Sequence, residues 1–137
     1  MTPRGIRNNN PGNIEHSDRF LWDGEIYPQT NGEERFCQFE SSEMGIRAIH
    51  KILQTYQRKH KLWNVRDMIN RWAPPVENET DSYIEHVADC MHLDPGEAFD
   101  VTEMRYALPM VSAIIHHENG VMPYSQEQLL DGINRAF

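Results

Sequence analysis

The chain is predicted to be mainly α-helical, with a β part limited to one small irregular hairpin near its start (α+β in that restricted sense), and three observations carry this. After residue 40, apolar residues recur at steps of three and four, each run preceded by a residue able to cap a helix. Before residue 40, turn-forming and aromatic residues replace that period. With 137 residues, the chain is long enough to bury a core without staples, and residues 1–137 are read as one domain.

The elements follow in order. "RNNNPGNI", Arg7 to Ile14, strings together residues that accept left-handed or turn conformations and bond nearby backbone through their side chains. "RFLWDGEIY" and "ERFCQFE" place aromatics around Asp23-Gly24 and around the linker "PQTNGE", and read as the hairpin. Ser41 or Ser42 caps a helix whose buried stripe is Ile46, Ile49, Leu53 and Tyr56, ending near His60. Asn64 opens a short helix through Val65, Met68, Ile69 and Trp72, stopped by Ala73-Pro74-Pro75. Asn78 or Thr80 caps the next, which buries Ile84, Val87, Ala88 and Met91. "HLDPGEAFD" reads as a loop, and Pro109 suits the first position of the following helix, since its missing N–H has no partner there. That helix ends in "SAIIHHENG", with Asn119-Gly120 as a left-handed cap. Ser125 and Gln128 form a capping box for a last helix burying Leu129, Leu130, Ile133 and Phe137.

Glu118 is out of place in this scheme. Unpaired carbonyls gather negative charge at a helix C-terminus, so a carboxylate there is disfavoured by a few tenths to about 1 kcal/mol. Partial burial adds desolvation, and together these are the conditions under which a carboxyl can hold a proton and donate it as a general acid. The bland alternative is a solvated glutamate offset by His116 or His117.

Composition narrows the function classes. Thirteen Lys and Arg against 21 Asp and Glu give a net charge of −8, so nucleic acid is not the expected partner. The basic residues gather between Arg47 and Arg71, and the acidic ones from Glu77 to Glu103. Two oppositely charged lobes or two solvated faces both fit this distribution. No apolar run reaches the length of a membrane span, and the start lacks a signal-peptide core, so the protein is expected to be made in the cytoplasm and delivered if it acts outside. Cys37 and Cys90 are too few for a disulfide framework, and their pairing is open. His86 and Cys90 are four apart on a helix, with His92 near, but no HExxH or CxxC pattern accompanies them. No metal and no cofactor are therefore expected.

Two polar clusters remain. "RWAPPVENETDSY" sets Glu77, Asn78, Thr80 and Tyr83 at a helix start behind a rigid proline corner, where they can point into a cleft or simply cap the helix. Asn8, Asn9, Asn10 and Asn13 lie near Trp22 and Tyr27 in sequence, a mixture of amides and flat aromatic faces that suits sugars. Turn formation explains the asparagines equally.

Together "RGIRNNNPGNI", Trp22-Asp-Gly24, Phe36 to Ser41, "GIRA" at Gly45 to Ala48, and "RWAPPxENxTxxY" resemble a family of phage and prophage virion proteins with a lysozyme-like domain. More faintly, the same blocks resemble flagellar-type N-acetylglucosaminidases of the lysozyme superfamily. In those enzymes a catalytic glutamate ending a helix precedes blocks matched here by Asn10 to Ile14, Trp22 to Gly24, Phe36 to Ser41 and Ala73 to Tyr83. Here no glutamate precedes Asn10. "AIIHHENG" resembles the missing catalytic helix, moved to the end of the chain, and joining the termini would put Glu118 about 29 residues ahead of Asn10.

The resemblance thus implies a circularly permuted lysozyme-like fold. It implies a peptidoglycan glycan-strand hydrolase or lytic transglycosylase, with Glu118 as acid and Tyr83 beside it as a second catalytic residue. Asn10, Asn13, Trp22, Glu77, Asn78 and Thr80 would be substrate-binding residues, and Glu15, Asp23, Glu40 or Glu77 a second carboxylate. The partner is then the glycan strand, reached in the periplasm or cell wall through a virion or secretion machine, with an immunity protein if the chain is a toxin. A virion structural or glycan-binding protein without turnover is the alternative.

Overall fold

A computed structural model of the chain describes residues 2–76 and 78–137. Its element order is α1 (Arg4–Arg7), β1 (Glu25–Ile26), β2 (Gln38–Phe39), α2 (Ser42–Arg58), α3 (Val65–Trp72), α4 (Thr80–Met91), α5 (Met104–Asn119) and α6 (Gln126–Asn134). The chain is mainly helical, with one two-stranded antiparallel sheet, Glu25 opposite Phe39 and Ile26 opposite Gln38.

A third stretch pairs beside the short hairpin. His16 N–H donates to Arg35 O and Cys37 N–H to Ile14 O, each at 2.9 Å, around a bridge between Glu15 and Phe36. The asparagine turn supports this arrangement: Asn9 and Asn13 take left-handed φ of 52° and 50°, conformations that asparagine tolerates. The short helix α1 was not expected from the sequence. Gly5 on it sits so close to α5 that a Cβ there would meet Asn119 Oδ1 at 2.5 Å.

Local capping chemistry sets most helix starts. The Ser41 side chain accepts from Met44 N–H and Asn64 from Asp67 N–H, while Ser125 and Gln128 complete the capping box. Three expectations need correction. Helix α4 has Glu79, without a side-chain hydrogen bond, at its N-cap; Thr80 is its first residue and donates its hydroxyl to Ala73 O at 2.6 Å instead. Helix α5 begins at Met104, so Pro109 lies inside it. The forfeited N–H is one bond near the helix start, set against burial of Ala107, Met110, Val111, Ile114 and Ile115, each large apolar side chain contributing about 1.5–3 kcal/mol. Phe137 is 66% exposed rather than core, lying edge-on to His50 at 5.3 Å.

The core runs between α2, α3, α4, α5 and α6, from Ile46 and Leu53 through Met68, Val87 and Ile114 to Ile133. A second apolar cluster, Cys37, Phe39 and Ala48 with Trp22 against it, joins the hairpin to α2. Polar side chains fix the loops onto this frame. Gln57 donates to Phe99 O and accepts from Val101 N–H, each at 3.0 Å, which holds the loop before α5 against α2.

Candidate active site

Helix α5 ends with Gly120 in the left-handed conformation, φ 74°, its N–H bonded to His116 O at 2.7 Å. That cap stops the helix directly after Glu118 and Asn119. Asn119 donates to Pro11 O at 2.8 Å and to Ile115 O at 2.9 Å, locking the helix end onto the turn at 10–14. Glu118 is thereby half-buried rather than solvated, and three donors meet its carboxylate. Tyr83 Oη donates to Oε2 at 2.9 Å, Trp72 Nε1 to the same oxygen at 3.4 Å, and Asn13 Nδ2 to Oε1 at 3.2 Å.

Each donor is held by its own element. Tyr83 is 1% exposed on α4, and its ring stacks on His117, centroids 3.7 Å apart. Burial, reinforced by the Glu118 charge, pushes its phenol far above the ordinary range, so Tyr83 is an O–H donor at any working pH. Trp72 closes α3, placed by the step of three and four that also buries Met68 and Ile69. Burial lowers His117, against an opposing contribution from Glu118, with His86 and His116 adding to the lowering.

The carboxylate opens on a cleft of about 500 Å³ lined by Phe36, Tyr56 and Trp72 and by polar groups from Asn13, Asn78 and Arg71; the guanidinium groups of Arg4 and Arg35 lie over the Phe36 ring and that of Arg71 over Tyr56. A larger concavity of about 720 Å³ lies over the hairpin between Asp18, Tyr27 and Glu33, and Glu118 is not among its residues. The smaller cleft is the candidate site, because there a half-buried carboxyl and convergent donors coincide.

The expected site residues divide. Glu118, Tyr83 and Asn13 meet directly, and Asn78, with its Nδ2 on Pro74 O at 3.1 Å, lines the same cleft. Asn10 does not: it is 0% exposed, and its amide is fully engaged with Ile14 and with Cys37 O, closing the turn from within. Thr80 is buried on Ala73 O. Trp22 packs against Cys37 and Phe39 and edge-on to Phe20, and is not among the residues lining the Glu118 cleft. Glu77 lies outside the described residues. Of the other carboxylates, Glu15 lines the Glu118 cleft and pairs with Arg35, whereas Asp23 pairs with Arg47 at 3.0 Å and is not part of that cleft, nor is Glu40.

Trp72, Tyr56 and Arg71 escaped the sequence reading as site residues. Trp72 and Tyr56 sit on helical stripes that read as core, and only their half-burial distinguishes them. Cys37 and Cys90 are both free, Cys37 buried and Cys90 exposed. No helix among the described residues is long and apolar enough to cross a membrane.

No family model matches the chain. It is 37% identical over 136 residues to Protein P5 of Pseudoalteromonas phage PM2, an alignment covering 98% of this chain and 82% of that protein.

Proposed function

This chain belongs to the family of Protein P5 of Pseudoalteromonas phage PM2, and we propose that it cuts the glycan strand of peptidoglycan, with Glu118 as the general acid. The observation that carries this reading is the Glu118 carboxyl itself, half-buried at the end of α5 and facing an aromatic and amide-lined cleft. Tyr83 and Trp72 both donate to Oε2, which fixes that oxygen as an acceptor. Oε1 meets a single amide, and turning the Asn13 amide over offers its carbonyl oxygen, which is buried without a hydrogen bond, to a protonated Oε1. Oε1 is therefore the oxygen that carries the proton to the leaving glycosidic oxygen.

Sugar rings lie against the half-buried Trp72, while Asn78 and Asn13 pair with hydroxyl and acetamido groups. After departure of the leaving group, the Glu118 carboxylate takes a proton from a water, giving hydrolysis, or from a hydroxyl of the same sugar, giving an anhydro end. Glu15 is the described carboxylate on the same cleft that can assist from a second position. The reading includes a lysozyme-like fold in circularly permuted order, supported by the lock between the end of α5 and the turn at 10–14, 108 residues apart. Access to the wall then comes from delivery by a virion, because a charge of −8 gives no attraction to an anionic surface.

The test is to incubate the purified chain with peptidoglycan and identify the released sugar ends by mass spectrometry. Wild type releases fragments, and Glu118→Gln, folded by circular dichroism, loses at least about 100-fold, the lower range of general-acid catalysis. No release by wild type leaves a virion structural or glycan-binding protein as the function. Activity in Glu118→Gln but not in Glu15→Gln transfers the acid role to Glu15.

A further inference from the structure

His16, Glu25 and Cys37 are brought together by the hairpin, in a place that the glycan cleft does not use. Their ligand atoms lie within 4.8 Å of one another, and no other such group of three occurs among the described residues. The His16 side chain is 9% and the Glu25 side chain 1% exposed, and Cys37 is 0% exposed. We propose that these three side chains bind one zinc ion, His16 through Nδ1, Glu25 through Oε2 and Cys37 through Sγ, with a water completing four-coordination.

The chemistry favours zinc because one imidazole, one carboxylate and one thiolate form a mixed nitrogen, oxygen and sulfur set, which calcium and magnesium do not take. Bond lengths of about 2.0–2.3 Å place tetrahedral donors roughly 3.3–3.7 Å apart. His16 Nδ1 and Glu25 Oε2 are 2.6 Å apart, so the pair has to open by about 1 Å or less to admit the ion at these bond lengths. The surroundings already orient the ligands. Trp22 N–H donates to Glu25 Oε1 at 3.0 Å, leaving Oε2 for the metal. Tyr27 stacks on the imidazole with centroids 4.0 Å apart and planes 6° from parallel. His16 Nε2 is buried and makes no hydrogen bond of good geometry, yet Asp18 Oδ1 is 3.3 Å away. A small rotation joins them, giving the carboxylate–histidine–metal relay that fixes the tautomer of a metal-bound imidazole.

Without a metal, the same group reads as a histidine–glutamate hydrogen bond beside a small apolar cysteine. That account uses the Cys37 thiol as a donor to the Glu25 carboxylate and leaves Nε2 buried with no hydrogen bond of good geometry. On zinc binding the thiol proton and the proton shared by His16 and Glu25 leave to solvent, and the metal–ligand bonds replace them. Glu15 and Phe36, next in sequence to His16 and Cys37, line the Glu118 cleft, so the ion would pin that wall. The site is independent of the glycan reading.

The full chain, stripped with chelator, is titrated with cobalt(II) as a spectroscopic probe and with zinc followed by native mass spectrometry. One equivalent of each binds, cobalt giving a thiolate charge-transfer band that zinc abolishes. The chain has two cysteines, so a band retained in Cys90→Ser assigns the thiolate to Cys37 even if Cys37→Ser fails to fold. His16→Ala weakens binding at least about tenfold, while Glu118→Gln binds as wild type. Absence of the band in wild type, or its loss in Cys90→Ser, overturns the proposal.

Discussion

Replacing Tyr83 by Phe deletes one oxygen from the centre of the site and leaves the ring stacked on His117. The lost hydrogen bond is 2.9 Å long, made by a residue that is 1% exposed to an oxygen whose other donor, Trp72, is at 3.4 Å. A hydrogen bond to a charged acceptor contributes about 1.5–3 kcal/mol, because the acceptor is left desolvated when its donor is removed. At roughly 2–5 °C per kcal/mol for a chain of this size, the thermal midpoint falls by about 5–10 °C. The geometry is isolated by a double-mutant cycle with Glu118→Gln, followed by urea unfolding at neutral pH. In the Gln background the acceptor is neutral and the same deletion costs about 0.5–1.5 kcal/mol. The coupling is therefore expected near 1 kcal/mol or above, larger than the 0.3–0.5 kcal/mol within which independent sites add. Additivity of the two substitutions would refute a direct bond between Tyr83 and Glu118.

Three further outcomes follow from the structure. Burial lowers His117, so its neutral form is favoured in the folded chain and the unfolded chain binds more protons as the pH falls. Stability then rises with pH up to the ordinary histidine range and declines below it; His117→Gln should flatten the part of the profile owed to His117, read by urea unfolding across pH. A Cβ at Gly45 would lie 2.0 Å from Asn9 O, and since that contact is backbone, Gly45→Ala should destabilise by about 3 kcal/mol by forcing α2 from the asparagine turn; a change below about 0.5 kcal/mol in urea would contradict the close approach. Ser125→Ala breaks both halves of the capping box, with an expected loss of about 1 kcal/mol confined to the α6 end and visible as faster amide exchange there.

The sequence alone determined the helical parts where the deciding forces are local. Ser41, Asn64 and Ser125 cap α2, α3 and α6 through bonds to a backbone three residues ahead, and the apolar stripes follow the helical period. The oddity of Glu118 was also legible, because a helix-end carboxylate conflicts with the dipole whatever surrounds it. Packing overrode local preference at Pro109, where burial outweighs one absent hydrogen bond, and the apolar period failed at Phe137, which ends the chain 66% exposed beside His50.

The site belongs to the tertiary structure. Asn10 and Asn13 look alike in the sequence, yet Asn10 is sealed inside its turn and Asn13 reaches Glu118 across 105 residues. Trp72 and Tyr83 arrive from 46 and 35 residues away on two further helices. Nothing in a local window specifies such a meeting. It depends on the angles at which α3, α4 and α5 pack and on Asn119 tying α5 to the turn, and both are fixed only when the whole core closes.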